Sequence, residues 1–562
     1  MTYLLPRQCA ENTCSEIVVT SPTTVCWVCD EVRCHEHMRR PNHPCGTVDD
    51  IRSAARDDPV LKERRKQSRL SRFGHLLNKL LAEKRSIIAE AESFRPGNHC
   101  TLELPASPQI MLDNKTMYNG INIHFPIVWD DGMKWLLRVR QSHNGRPNQD
   151  IQKYVIQSEI GVLRLLKRQG LLVPDAWPAG DGNNESANSD IHYFFYEFIP
   201  GSTLVLPKRG EDALWSPGER IRRIIHQYAK FQVQISENPI AATQIGCPTF
   251  ASGGQIAVGP LANHQCLNSL DPPNLPGPFS NNQERYLAQI DLALGHIAAG
   301  HLCQNAPLDG YLYHLLLREL VQQCSLLAEQ PSEVYIEHAD DKGDQFMGND
   351  KNDFTGVIDW ECHIINRLQN AYVTTKAEAF TGPVFCFWNI KYFVGNNQLS
   401  PAEEILVEAY EALERKDLAD CVRNGKIYQR LSHIGNFNDT GPRHRGILDA
   451  FKKYKPPGLE PPLRPAKELR VYLINRYEEG DTYLPGLMQR EGWDQAKEKA
   501  VIDEAEAAWH RKYQEERALF LAEMTKGDAK AKDDSESARE RRRAAWQAAK
   551  TKQKANAKHF AN

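Results

Sequence analysis

The sequence lacks any apolar run near the roughly 18 residues that a membrane-spanning helix needs, so no transmembrane segment is expected. After Met1 there is no basic stretch leading into a long apolar segment, so no secretory signal is expected either. The sequons at Asn114, Asn184 and Asn438 are therefore read as without consequence. A formal net charge of only −3 removes any global pull toward nucleic acid or a membrane surface. Ser252-Gly-Gly and Gly259-Pro260 have no Lys-Ser/Thr after them, which argues against a P-loop. Internal repeats are absent. What remains is an intracellular protein, cytoplasmic or nuclear, with its thiols kept reduced. At 562 residues it is too long for one compact core, so several domains are expected.

Cysteine is unevenly placed. Six of the 14 lie between Cys9 and Cys45, and the other eight, from Cys100 to Cys421, are scattered. In a reducing compartment such clustering points to metal rather than disulfides. The spacing is Cys9-x4-Cys14-x11-Cys26-x2-Cys29-x4-Cys34-x2-His37-x5-His43-x-Cys45. These eight soft ligands fall into four pairs, enough for two closed tetrahedral Zn²⁺ sites. So short a segment buries little apolar surface, so metal binding would supply its folding energy. No ligand position is left open, so the zinc is structural. His35 competes with His37, though the spacing favours His37. The pattern resembles the AN-one-type zinc finger of stress-associated proteins, apart from the x4 spacing of its first pair. That resemblance implies alternating pairs: Cys9, Cys14, Cys34 and His37 on one ion, Cys26, Cys29, His43 and Cys45 on the other. It also implies a protein partner, such as ubiquitin.

Composition divides the rest. Residues 51–96 are rich in Arg and Lys, with Leu70, Phe73, Leu77, Leu80 and Leu81 at helical spacing, and read as a basic amphipathic linker helix. Residues 97–205 alternate strand-like runs (Asn122–Trp129, Trp135–Val139, Tyr193–Ile199) with one helix, Ile151–Gln169. Residues 206–455 are mostly helical, with helices expected over Glu219–Ile235, Gln283–Ala298, Tyr311–Leu327 and Pro401–Glu414. A β-like pair, Val334–Glu337 with Phe354–Ile358, interrupts them. Residues 456–562 turn Pro-rich, then highly charged, and read as a helical or disordered tail ending in Arg541-Arg542-Arg543 and several lysines.

Two short stretches carry chemistry: Glu337-His338-Ala339-Asp340-Asp341-Lys342-Gly343-Asp344-Gln345, and Thr355-Gly356-Val357-Ile358-Asp359-Trp360-Glu361. Phosphoryl transfer needs one carboxylate near the attacking hydroxyl and further oxygens on Mg²⁺. Asp340 and Asp359 each follow a short strand-like run, an arrangement able to bring both to one cleft. These stretches resemble the catalytic and metal loops of the aminoglycoside-phosphotransferase family, in its fungal branch. The resemblance runs over about residues 110 to 455. It includes His124-Phe-Pro-Ile-Val-Trp-Asp-Asp-Gly132, Trp135-Leu-Leu-Arg138, Ser158-Glu159, Val173-Pro174, Tyr196-Glu-Phe-Ile-Pro-Gly201, and Asp417-Leu-Ala-Asp with Val422-Arg423.

It implies an α+β, bilobal protein-kinase-like fold, preceded by the two-zinc finger and followed by the charged tail. It further implies Mg²⁺ with ATP, and transfer of the γ-phosphoryl to a hydroxyl-bearing small molecule that the sequence does not name. Asp340 would be the general base and Asp359 the principal Mg²⁺ ligand. Arg138 would contact the phosphates with Glu159 orienting it, and the backbone of Glu197 to Ile199 would meet adenine. Gly120 lies where a phosphate-covering loop is expected, and Trp360-Glu361 read as support for the metal loop. Most family members carry Asn five residues after the catalytic Asp, where Gln345 stands here. Its extra methylene displaces the carbonyl oxygen by roughly 1 Å or more. Asp344 beside it could supply a harder oxygen for Mg²⁺. This departure keeps a rival in play, a pseudokinase scaffold that binds nucleotide or protein without turnover. A third reading, an adaptor binding RNA through the basic helix and tail, is weaker than solvated helix faces.

Overall fold

A computed structural model describes residues 6–8, 17–19, 59–114, 117–118, 122–140, 149–179, 191–204, 217–250, 256–262, 275–300, 302–303, 306–338, 341, 343–364, 367–383, 386, 396–432, 434–435, 441–462 and 466–530. The fold is mixed α/β, in two compact units: Met1–His296 with Cys324–Ser432, and Ile297–Gln323 with His433–Asn562. Of the first 58 residues only Pro6–Gln8 and Ile17–Val19 are described, as an antiparallel pair. All eight expected zinc ligands lie outside the described residues. No described helix is long and apolar enough to cross a membrane.

The first unit is organised around an antiparallel five-stranded sheet. Its strands are β1 (Cys100–Leu102), β2 (Asn122–Trp129), β3 (Lys134–Arg140), β4 (Ala176–Pro178) and β5 (His192–Glu197), in the order β1-β2-β3-β5-β4. Strict alternation in β2 buries Ile123, Phe125, Ile127 and Trp129. Cross-strand register sets these beside Val139, Leu137 and Trp135 of β3. That apolar face packs on α1 (Pro59–Ser93) through Phe73, Leu77, Leu80, Ile87 and Ala91. The basic helix is thus the outer cover of the sheet. Its buried stripe runs on to Ile87 and Ala91 and leaves out Leu81, which is 53% exposed.

On the opposite face the same alternation lines up polar and charged side chains. Side chains two apart on a strand point the same way, so Leu136, Arg138 and Arg140 share it, and register adds His124 opposite Arg138 and Asn122 opposite Arg140. The short helix Pro108–Asp113 is α2, and α3 (Gln149–Arg168) covers this inner face, with Ile156, Ile160 and Leu163 in one cluster with Phe194 and Tyr196.

Beyond the sheet, β6 (Ser202–Thr203) leads toward α4 (Glu219–Ser236) and α5 (Asn282–Ala298). The expected pairing of Val334–Glu337 with Phe354–Ile358 does not occur. Instead β7 (Tyr335–Glu337) pairs with Tyr372–Thr374, while Phe346–Gly348 lies between Phe354–Val357 and β6. Runs this short carry no period, and nothing local marks which run pairs with which. We call these β8 (Phe346–Gly348), β9 (Phe354–Val357) and β10 (Tyr372–Thr374). Gly201, at φ 121°, lies so close to β8 that a Cβ there would sit 2.4 Å from the Gly348 carbonyl oxygen. Only glycine permits this crossing.

A buried polar cluster anchors β10. Arg285 of α5 donates to Glu378, and the same carboxylate accepts from Tyr286 (2.5 Å), Tyr372 (3.2 Å) and Thr374 (2.5 Å). All five are buried.

In the second unit, α6 (Pro307–Gln323) is buried nearly all round. It shares a core with the segment expected as a tail, which is helical over α7 (Ala466–Tyr477), α8 (Leu484–Glu491) and α9 (Gln495–Lys530). Leu469, Leu473, Ile474, Leu484 and Leu487 are buried there. Arg470 grips Asp309 (2.6 and 2.5 Å), and Tyr311 donates to Asp481 at 3.0 Å. The compact units therefore cut across the sequential divisions drawn at residues 205 and 455.

Candidate active site

Arg138 is the hub. It sits on β3, the central strand, and its side chain is 4% exposed. One of its terminal nitrogens, Nη2, reaches Asp359 Oδ1 at 2.8 Å and Glu159 Oε1 at 3.0 Å. Glu159 comes from α3, the helix that covers this face of the sheet. Asp359 comes from the turn after β9. Three elements, two of them some 200 residues apart in sequence, thus converge on one guanidinium.

Asp359 adopts a left-handed backbone, φ 62°. Such a conformation costs a non-glycine residue roughly 1–2 kcal/mol, and the surroundings hold it. Ile358 N–H donates to the Gln345 carbonyl at 2.9 Å, and the Ile358 carbonyl faces His338 Nε2 at 3.1 Å. The fully buried Trp360 donates its indole N–H to the Val357 carbonyl at 3.0 Å, and its ring packs on His338. Asp359 N–H points at Tyr196 Oη, 3.4 Å away. The result turns the Asp359 carboxylate outward, 40% exposed, in a loop that is otherwise buried at Trp360 and Glu361.

Glu361, by contrast, is buried. Arg140 grips both of its oxygens, Oε2 at 2.7 Å, and Asn122 adds a contact at 3.4 Å. Three carboxylates here face two guanidiniums, all but Asp359 buried. Burial, opposed by Arg138, pushes Glu159 above the usual carboxylate range. At Glu361 burial acts the same way but Arg140 wins, and its carboxyl is held low. His124, opposite Arg138, is driven down to about 3 by burial and then by the Arg138 charge. The ring is therefore neutral, and its Nε2 accepts from Arg138 Nη1 at 3.2 Å.

The remaining expected site residues are placed as follows. Asp340, the expected base, lies outside the described residues, as does Gly120. His338, two residues before Asp340, is fixed against Ile358 and Trp360 by the contacts above. Gln345 is buried, and its side-chain carbonyl accepts from Gly343 N–H at 3.2 Å. That oxygen is engaged within its own loop. Asp344 beside it is exposed. Glu197 binds Lys167 (2.7 Å) and the Asp175 N–H (2.8 Å) with its carboxylate, and its own N–H donates to the Asp175 carbonyl. Phe198 N–H donates to the Lys134 carbonyl at 3.2 Å. Of that stretch, Ile199 rests its side chain on Gly356. Among the described residues no group of three or more His, Cys, Asp and Glu could hold a metal ion. A lone outward carboxylate at Asp359 nevertheless suits Mg²⁺, which is held by one or two carboxylates plus phosphate oxygens.

The Arg140–Glu361 fork was missed in the sequence. The signal was present: each residue stands two positions after a singled-out partner, Arg138 and Asp359, and β3 alternation puts both arginines on one face.

No family model matches the chain, and no curated protein does. Solved structures similar to it are small-molecule phosphotransferases and kinases. A type I macrolide 2'-phosphotransferase is 12% identical at a TM-score of 0.31, over 66% of this chain and 97% of that one. A protein assigned as a fructosamine-3-kinase from Thermobifida fusca is 14% identical at 0.34, over 65% and 97%. Another, assigned as an aminoglycoside phosphotransferase from Ralstonia eutropha, is 14% identical at 0.30, over 70% and 98%. Likenesses this distant carry no argument about activity, which has to come from the site.

Proposed function

We propose that this chain is an ATP- and Mg²⁺-dependent phosphotransferase of the aminoglycoside-phosphotransferase, small-molecule-kinase type, with a bilobal kinase-like body. It moves the γ-phosphoryl group to a hydroxyl of an acceptor not yet identified. The observation that carries this reading is the convergence of Arg138, Glu159 and the outward Asp359. A buried guanidinium held by one interior carboxylate and one surface carboxylate is ready to exchange the latter for phosphate. Asp359 would hold Mg²⁺, which when bound neutralises charge on the phosphate oxygens. Glu159 keeps Arg138 aimed at the exposed edge while Asp359 turns to the metal. Asp340 takes the proton of the attacking hydroxyl, and the oxygen–phosphorus bond forms as the bond to the nucleoside diphosphate breaks. The Ile199 N–H meets the adenine edge.

The test is thermal-shift titration with ATP, with and without Mg²⁺, followed by turnover of Asp340→Asn and Asp359→Ala. Mg²⁺-dependent stabilisation and loss of turnover in both variants support the reading. Unchanged slow ATP consumption in either removes its assignment.

One observation favours the rival pseudokinase. The Gln345 oxygen is already engaged by the Gly343 N–H. Nucleotide binding without ATP consumption in any metabolite extract would select it. The first 50 residues we propose as a partner-recruiting finger with two structural Zn²⁺, and a metal assay finding well below two per chain would end that proposal.

A further inference from the structure

Arg140 stands one alternation step beyond Arg138, about 6.6 Å along the strand, and Glu361 stands two residues beyond Asp359. The two Arg–carboxylate pairs run in step, yet they differ in kind. Arg138 is shared among several acids, while Arg140 is committed to one. Glu361 Oε2 lies only 3.7 Å from Arg138 Nη2, outside hydrogen-bond reach but within strong Coulomb reach. A carboxylate this deeply buried requires a cation. Arg140 supplies it through a two-pronged grip that uses both oxygens.

We propose that Arg140 is a positioning residue that holds Glu361 off Arg138, leaving Arg138 for a nucleotide's phosphates. The phosphate clause rests on the nucleotide reading above. Without the fork, the nearest cation for Glu361 is Arg138, already pulled by Glu159 on the same side. Arg138 would move inward onto the two buried acids and leave Asp359. A lysine at position 140 would keep the charge but lose the planar fork, and so would hold Glu361 less well.

The experiment combines a crystal structure of Arg140→Gln with calorimetric titration of Mg·ATP into wild type, Arg140→Gln and the Arg140→Gln/Glu361→Gln double variant. In Arg140→Gln, Arg138 is expected within hydrogen-bond distance of Glu361 and off Asp359. Loss of one charge-assisted contact predicts affinity lower by about tenfold or more. Removing the competing charge in the double variant restores most of it, which a merely structural role for Arg140 would not do. The proposal is overturned if Arg138 stays on Asp359, or if the double variant binds as weakly as the single one. Should Arg140→Gln fail to fold, Arg140→Lys takes its place and shows the same displacement and a smaller loss. A wild type that binds no Mg·ATP removes the nucleotide reading and the phosphate clause together. The position of Arg138 in the variant then still decides whether Arg140 restrains Glu361.

Discussion

Arg138 and Arg285 are both buried among acids in the first unit, and they lead to opposite conclusions. Arg285 lies with Glu378, Tyr286, Tyr372 and Thr374 in a cluster whose members are all buried. Arg138 lies with Glu159, Glu361 and His124, equally buried, but its cluster also includes Asp359, which reaches the surface. Burial, pairing and shifted protonation are common to both clusters. One exposed partner, held in an unfavourable backbone conformation, separates a candidate site from a structural anchor.

The contrast breaks most sharply at the anchor. Glu378→Ala removes the carboxylate to which Arg285 donates and is expected to cost about 3–5 kcal/mol of folding stability, read by urea unfolding. Mg·ATP affinity should be unchanged wherever the variant is folded, and a matching loss of affinity would erase the distinction. At the site the expected pattern inverts. Asp359→Asn should reduce turnover by about 10² to 10³, the range for a lost transition-state electrostatic contact. Its melting temperature should be unchanged or raised, since one acid leaves a cluster that has a carboxylate in excess. A large loss of stability would make Asp359 another anchor.

His124 sharpens the comparison through pH. Its imidazole stays neutral when folded, down to about pH 3, against an ordinary value of 6.5. As pH falls below 6.5 the unfolded chain takes up a proton that the folded chain refuses, so stability declines, by about 1.4 kcal/mol per pH unit. Above 6.5 the contribution is fully present. His124→Gln keeps an acceptor for Arg138 and should flatten this decline between pH 6.5 and 5 in urea titrations. The smallest effect belongs to Tyr286→Phe. It removes one donor of several from Glu378 and is expected to cost about 1–2 kcal/mol, with no effect on nucleotide.

Much of the sheet was readable because alternation is a local signal. The span Asn122–Trp129 matches β2, and the long helices lie close to where apolar spacing puts them. The three- and four-residue strands β7 to β10 were not readable, because they have no room for a period and nothing local marks that β7 pairs with β10 and β8 with both β9 and β6. Phe73 and Leu77 announced an amphipathic helix, but a stripe does not say what it packs against. Within the site, Arg138, Glu159 and Asp359 were picked out by family resemblance. Their meeting depends on three elements folding together, which no single segment encodes. Gln345 was weighed by type alone, whereas its hydrogen bond to Gly343 is a property of the folded loop.

Helix α1 has a practical consequence. A fragment begun at residue 97, where composition changes, would strip the cover from Phe125, Leu137 and Phe195. Bare antiparallel sheet of that kind meets other copies of itself and aggregates. A fragment begun at Pro59 would keep the cover, so the cut for expressing the folded body without the cysteine-rich segment belongs before α1.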